Sequence, residues 1–390
     1  MINLDLQTIC TPRKYVRGIA YYTIELVRNL LQRGNYDYSG SFFDYQKERN
    51  NRGNIEEYLG DSVSKLKYLY ENNEISYPDM LSAITQGDSL FYQGKTYDQW
   101  MGMDADLYHF FHLARMPHNI PDKPTIVTVH DVMPVLNELK DGFAQGTYEQ
   151  FMNSFQYVWE HSNITVVADS ECTKKDLVYY GAIHPERIHV VPAAINETLY
   201  YPDASRPDIF QRFDIPKEYI LYLGALDPRK GIDTLMEAER ILKNRDIPIV
   251  LTGNPSDMYN LSKEMEKTEN PKRFILTGYV TDEEKRSLLS NATVFVFPSR
   301  YEGFGLPILE AMACATPVIT TKVSSIPEVG GDAVEYIQPG DCEALATLLD
   351  DLLEHEEKRE DLRTRGFEQC KKFSWSITAK QIEEIYRMIG

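Results

Sequence analysis

Residues 293–321 constrain this chain more than any other stretch. Thr293–Phe297 is a continuous apolar run, short and rich in β-branched and aromatic residues, as expected of a strand buried on both faces of a parallel sheet. Pro298 and Ser299 end it, and Gly303 and Gly305 then permit a tight loop whose backbone can approach a ligand. Pro307 fits the first position of a helix, where its missing N–H is not needed. The spacing predicts a helix over Pro307–Ala315 with Ile308, Leu309, Met312 and Ala313 buried and Glu310 in its first turns. A second apolar strand, Pro317–Thr321, follows. Glu302, Gly303, Phe304, Gly305 and Leu306 therefore fall where a strand's carboxyl end meets a helix N-terminus. Open α/β sheets bind ligands there, and free N–H groups favour phosphate. Two carboxylates frame the turn. Glu302, on the loop, can face a reacting group, and Glu310, on the helix, can bind vicinal hydroxyls such as those of a ribose.

The same alternation runs through most of the chain. Strand-like runs occur at Ile2–Leu6, Asp106–Phe111, Thr125–Val129, Ile164–Ala168 and Arg187–Pro192. Later ones occur at Tyr219–Leu223, Pro248–Leu251, Arg273–Thr277, Thr293–Phe297, Pro317–Thr321 and Ala333–Ile337. Helical spacing is clearest over Gly18–Arg33, stopped by Gly34, over Thr147–His161, and over Lys174–Tyr180, stopped by Gly181. Prolines 202, 207 and 216 among polar residues read as a linker. The expected organisation is a first α/β domain over 1–200, a linker over 201–216 and a second α/β domain over 217–374. A length of 390 residues suits two domains. Residues 46–104, rich in Tyr, Asn, Asp and Gln, shape a binding surface or are an ordinary variable surface.

Composition narrows the function. A net charge of −18, with neither half basic, argues against nucleic acid and against a strong electrostatic membrane anchor, so membrane contact is at most peripheral. No apolar run approaches the roughly 20 residues of a membrane span, and the N-terminus enters a strand pattern with no signal peptide. Five scattered cysteines without a CxxC point to a reducing, cytoplasmic compartment and away from a disulfide framework or zinc site. Neither GxGxxG nor GxxxxGK[ST] occurs. No Asp/His cluster suggests a metal, and no cofactor is called for.

Chemistry concentrates at the ends of the predicted strands. Arg229 and Lys230 follow the first strand of the second domain at a helix start, where a basic pair opposes the helix dipole and is otherwise unfavourable. A guanidinium fork and an ammonium there suit a diphosphate, and would neutralise a leaving group without metal. Gly253, Tyr279 and Val280 follow two further strands; Tyr279 contacts a ligand or simply packs. His130 ends a first-domain strand, either as a hydrogen-bonded core histidine or as a contact across a cleft, with Asp131 orienting the strand–loop junction. Gly18, after the basic residues Arg13, Lys14 and Arg17, opens a helix behind an anion site or a solvated loop.

EGFGLPILEAMACATPVI, with the later PEVGGDA, resembles the glutamate–seven–glutamate signature of the family 4 retaining glycosyltransferases of bacterial glycan assembly; Ala315 stands where that family usually has glycine. GIAYYTIEL resembles the family's first loop and helix, with Arg17 at a common glycine position, and TVVADSECTKKDL the end of its first domain. The resemblance implies a GT-B fold, two Rossmann-like domains facing across a cleft, with helix 375–390 packing back on the first domain. It implies a nucleotide-sugar donor, UDP- or GDP-linked, as substrate, and a glycan or lipid-linked acceptor. It further implies Arg229 and Lys230 on the pyrophosphate, Gly18 near it, Tyr279–Val280 at the base, His130 at the donor sugar, and retention with front-face departure and attack. A GT-B sugar phosphorylase or epimerase, or an inactive nucleotide-sugar-binding scaffold, would carry the same fold.

Overall fold

The computed structural model describes residues 1–5, 8, 18–41, 105–118, 120–136, 139, 143, 146–244, 246–253, 261–268 and 270–390. The basic loop before Gly18, Cys10 and the stretch 46–104 lie outside the described residues.

Two six-stranded sheets carry the chain, every strand pairing parallel. The first runs β2-β1-β3-β4-β5-β6, from β1 (Ile2–Asp5), β2 (Tyr38–Ser41), β3 (Leu107–Phe110), β4 (Thr125–Val129), β5 (Ile164–Ala168) and β6 (Ile188–Val190). The second runs β12-β11-β10-β7-β8-β9, from β7 (Ile220–Leu223), β8 (Ile249–Thr252), β9 (Phe274–Gly278), β10 (Val294–Phe297), β11 (Val318–Thr321) and β12 (Glu335–Ile337). Its order reverses between β7 and β10, which pair Val294 with Ile220 and Val296 with Tyr222. Open α/β sheets bind ligands outside the strands' carboxyl ends at such a reversal.

Strand β10 is buried on both faces, as its unbroken apolar sequence requires. Phe295 and Phe297 enter one core with Ile308 and Met312, while Val294 and Val296 enter another with Leu235 and Leu349. The first of these cores is continuous with that of the first domain. Helix Trp375–Ile389 makes the connection by lying against helix Gly18–Arg33. Its Glu383 accepts from Arg33 Nε and Asn35 Nδ2, both at 2.8 Å, and its Tyr386 hydroxyl meets His109 Nδ1 at 2.7 Å. Burial pushes His109 down to about 3, so that ring is neutral.

Several elements differ from the sequence reading. Strand β2 was not expected, because YSGS carries no apolar run and pairs only along one edge. The linker contains a short helix, Asp208–Arg212, that buries Ile209 and Phe210. Helix Glu171–Gly181 begins before Lys174, since the Ser170 hydroxyl accepts from Thr173 N and caps it. Gly181 belongs to that helix, where a Cβ would stand 3.1 Å from the Phe155 ring, and the left-handed residue is Ala182. Helix Leu306–Ala313 starts one residue early, capped by Gly305, so Pro307 is its second residue and not its first.

The same helix also stops before Ala315, which sits at φ +58°. A left-handed alanine costs roughly 1–2 kcal/mol that glycine avoids, against roughly 0.5–1 kcal/mol of extra unfolded-state freedom for glycine. Ala315→Gly is expected to raise stability by up to about 1 kcal/mol, read as a higher urea midpoint at unchanged m. A lower midpoint would mean that this turn is not strained.

Candidate functional site

The loops after β7 and β10 flank the reversal in the second sheet, and they bring Lys230 and Glu302 together. Lys230 Nζ donates to Glu302 Oε1 at 2.6 Å, and the Ser299 hydroxyl donates to the same oxygen at 2.6 Å. Both side chains are mostly buried, so each charge is screened weakly and answered by the other. Arg229 lies one residue away in the 3-10 turn Pro228–Lys230, ahead of helix Ile232–Ile241. Its Nε and Nη2 reach the two Asp227 oxygens at 3.2 Å each, and Phe143 of the first domain covers its guanidinium at 4.9 Å. Burial opposes ionisation of Asp227, but the Arg229 hydrogen bonds and charge outweigh it and hold the carboxyl below its ordinary range.

Gly303 ties this loop to the first domain. A Cβ on it would lie 1.8 Å from the His130 carbonyl oxygen, so only glycine admits the contact. Its own carbonyl accepts from the Ser170 hydroxyl at 2.8 Å and from the Thr173 hydroxyl at 3.3 Å. From the other side, the Ser325 hydroxyl donates to the Glu302 and Phe304 carbonyls, and Glu302 N donates to Ser324 Oγ. Two more contacts cross between the domains. The Tyr301 hydroxyl donates to Asp176 Oδ2 at 2.6 Å, and the Glu328 carboxylate accepts from the backbone N–H groups of Glu171 and Cys172 at 2.8 and 2.9 Å.

His130 and Asp131 close β4 beneath this loop. His130 Nδ1 lies 2.6 Å from Asp169 Oδ2 and Nε2 lies 3.0 Å from the Phe111 carbonyl. Both partners are ordinarily acceptors, an arrangement that favours donation from both ring nitrogens and hence the imidazolium form. Burial pulls its pKa down, but the Asp169 charge and hydrogen bond together with the Phe111 carbonyl outweigh that, and the net shift is upward. Asp131 Oδ1 accepts from Met133 N at 2.9 Å, which fixes the strand–loop junction. Burial and the Glu302 charge raise its pKa, against Met133 N–H, His130 and Lys230.

Glu310 sits apart from Glu302. Its partner is Lys285, whose Nζ is 2.5 Å from Oε2, next to Tyr200 and near the Tyr21–Asp282 hydrogen bond. Phe304 is buried against Phe373, and Leu306 is half-buried at the helix start. Gly253 holds φ +137° where a Cβ would meet the Gly224 carbonyl at 1.9 Å, packing the ends of β7 and β8 together. Tyr279 is exposed and Val280 half-buried after β9. Gly18 is the first residue of its helix. Among the described residues, no group of three or more His, Cys, Asp or Glu is arranged to hold a metal ion.

Residues 205–369 match the family described as glycosyl transferases group 1. Over 188 residues the chain is 36% identical to the O-antigen chain mannosyltransferase B of Escherichia coli, covering 46% of this chain and 49% of that protein. Over 311 residues it is 28% identical to the serotype-specific mannosyltransferase WbdA of Escherichia coli, covering 77% of this chain and 36% of that one. The chain thus spans about half, or less, of the length of these curated relatives. In fold it resembles the sucrose-phosphate synthase from Thermosynechococcus elongatus, with a TM-score of 0.68 at 20% identity over 100% of this chain and 98% of that one. The architecture is GT-B.

Within the matched segment, Lys230, Glu302, Arg229 and Glu310 were legible as charged residues at strand ends. Asp227, Lys285, Asp169, Ser170 and Glu328 were missed. Their partners lie from two to more than a hundred and fifty positions away, and only Asp227 carried a local signal, as the residue before a proline-started turn.

Two outcomes test the geometry. Gly303→Ala is expected to force the domains apart at His130, enlarging the radius of gyration in solution scattering and costing about 1–3 kcal/mol as an overpacked contact does. An unchanged radius and midpoint would show that the loop adapts instead. His130, with its folded pKa raised, stabilises the fold fully below its unfolded value of about 6.5, and that contribution disappears as pH climbs through the folded value. Wild type should therefore lose its stability margin over His130→Gln as pH rises from about 6.5. A margin independent of pH would remove the imidazolium.

Proposed function

We propose that this protein is a metal-independent retaining glycosyltransferase, moving a hexosyl unit from a UDP- or GDP-sugar to a glycan or lipid-linked acceptor. The observation that carries the reading is the Lys230–Glu302 pair beside Arg229, at the strand-order reversal of the sheet inside the matched segment. Relatives named mannosyltransferases make a mannosyl unit the first to test. The acceptor belongs to the first domain, and the work is cytoplasmic, with at most peripheral membrane contact. No described helix is long and apolar enough to cross a membrane.

On this reading the diphosphate lies against Arg229, Lys230 and the N–H groups at the start of helix Leu306–Ala313. Charge develops on the leaving oxygen as the sugar departs, and these fixed donors neutralise it without reorganising. Lys230 reaches the phosphate while still near Glu302, which positions the sugar through the backbone-held loop Glu302–Gly305. The His130 donors are spent on Asp169 and Phe111, so this residue contributes a fixed positive charge under the sugar and not a free proton. Glu310 accepts the ribose hydroxyls, with Gly18, Gly253, Tyr279 and Val280 around the diphosphate and base. Domain closure completes the site.

A thermal-shift series with UDP, GDP and their sugars, followed by transfer assays with and without EDTA, tests the reading. A bound nucleotide at about 100 times its Kd should stabilise by roughly 2.7 kcal/mol. Transfer abolished by EDTA and restored by Mg²⁺ or Mn²⁺ would overturn the metal-free mechanism, and the absence of any nucleotide effect would overturn the function.

The two glutamates should separate in kinetics. Glu310→Gln is expected to weaken binding of the free nucleoside diphosphate, since hydrogen bonds to a charged acceptor are worth about 1.5–3 kcal/mol each. Glu302→Gln should leave that affinity nearly intact and lower kcat. Equal losses of affinity in calorimetry would mean that the carboxylates share one role.

A further inference from the structure

A second lysine–glutamate pair stands at the other end of the same loop and helix. Lys285 Nζ is 2.5 Å from Glu310 Oε2, with the two side chains 18% and 10% exposed. Helix Asp282–Asn291 does not need this lysine. Its N-terminus is already satisfied by the Thr281–Glu284 capping box and by three acidic residues in the first turn. A cation so close to the positive end of the dipole is misplaced for helix stability. The Lys285 ammonium therefore answers to something outside its own helix, and Glu310 is what it meets.

Lys285 pairs with Oε2, and the Tyr200 hydroxyl is the second group bonded to this carboxylate. A carboxylate offers about four lone-pair sites, so acceptor capacity remains for a ligand hydroxyl. The charged and titratable groups around Glu310 are Lys285 and Asp282 on this helix, Tyr21 from the first domain, which donates to Asp282 Oδ2 at 2.6 Å, Tyr200, and Cys314 on the carboxylate's own helix. The Tyr200 ring lies 5.1 Å from the Lys285 ammonium. Burial, followed by the Glu310 charge, raises the Tyr200 pKa well above its ordinary value, so its hydroxyl stays protonated. Lys285 is thus the cation that this cluster places on Glu310.

We propose that Lys285 is a positioning residue for the donor, holding Glu310 in place and cancelling its charge so that an anionic nucleoside diphosphate can bind beside it. The inference rests on the reading of Glu310 as the ribose acceptor. It parallels the other end of the site, where Lys230 cancels Glu302. Without its cation, a buried carboxylate either repels the incoming phosphate or is driven toward its neutral form, and a neutral acid is a poorer acceptor. Lys285 needs no contact with the ligand to act in this way.

The test uses the full chain with UDP and GDP as probes in calorimetry, and donor kinetics with the sugar of whichever nucleotide binds. Lys285→Met is expected to weaken nucleotide affinity about tenfold and to raise donor KM in proportion while kcat stays within about twofold. Lys285→Arg should recover most of the loss, which separates the charge from packing, and the melting temperatures of both variants establish that they are folded. In a Glu310→Gln background, Lys285→Met should change affinity by less than about twofold, because its partner is already gone. Equal losses in the two backgrounds, an unaffected Lys285→Met, or no recovery with arginine would overturn the inference while leaving the glycosyltransferase reading standing. If neither nucleotide binds wild type, both fall together.

Discussion

The contact between Gly303 and the His130 carbonyl is the constraint on which the rest of the site depends. With no room for a Cβ, the loop carrying Glu302 is pinned from the second domain by Ser324 and Ser325 and from the first by Ser170 and Thr173. The position of Glu302 is therefore a property of both domains. The Tyr301–Asp176 bond and the Glu328 carboxylate on the Glu171 and Cys172 N–H groups act in the same sense. Each is worth only about a kcal/mol or a few, so the contact between the domains is held by several modest bonds.

Charge pairing is the second organising feature. The chain carries a net −18, yet each carboxylate of its strand-end loop and helix meets a lysine, Glu302 with Lys230 and Glu310 with Lys285. Buried ion pairs of this kind contribute little to stability, because desolvation offsets their attraction. What they provide here is orientation and local neutrality. Arg229, clamped by Asp227 and covered by Phe143, is held in the same way. An acidic protein can thus keep the charges of one loop and helix locally balanced.

Much of the fold was legible because parallel strands buried on both faces leave unbroken apolar runs. Thr125–Val129 and Ile164–Ala168 coincide with their strands to the residue, and helix Gly18–Arg33 does so as well. The misses share a cause. Tyr38–Ser41 is a strand because an edge was there to pair with, and Asp208–Arg212 is helical because Ile209 and Phe210 found a core. The start of helix Glu171–Gly181 was hidden in a cap rather than in its periodicity.

From sequence alone came the residue types and their places along the chain: two glutamates around a glycine turn, a basic pair after a strand, a histidine at another strand's end. Local chemistry determines these, since strand ends, turns and helix starts are set by residues within a few positions of one another. Tertiary structure decided the partners. Lys230 meets Glu302 across 72 positions, His130 meets Asp169 across 39, and Ser170 reaches Gly303 across 133. Sequence spacing carries no record of such contacts, because they form only when the order of strands and the approach of two domains bring remote backbones together.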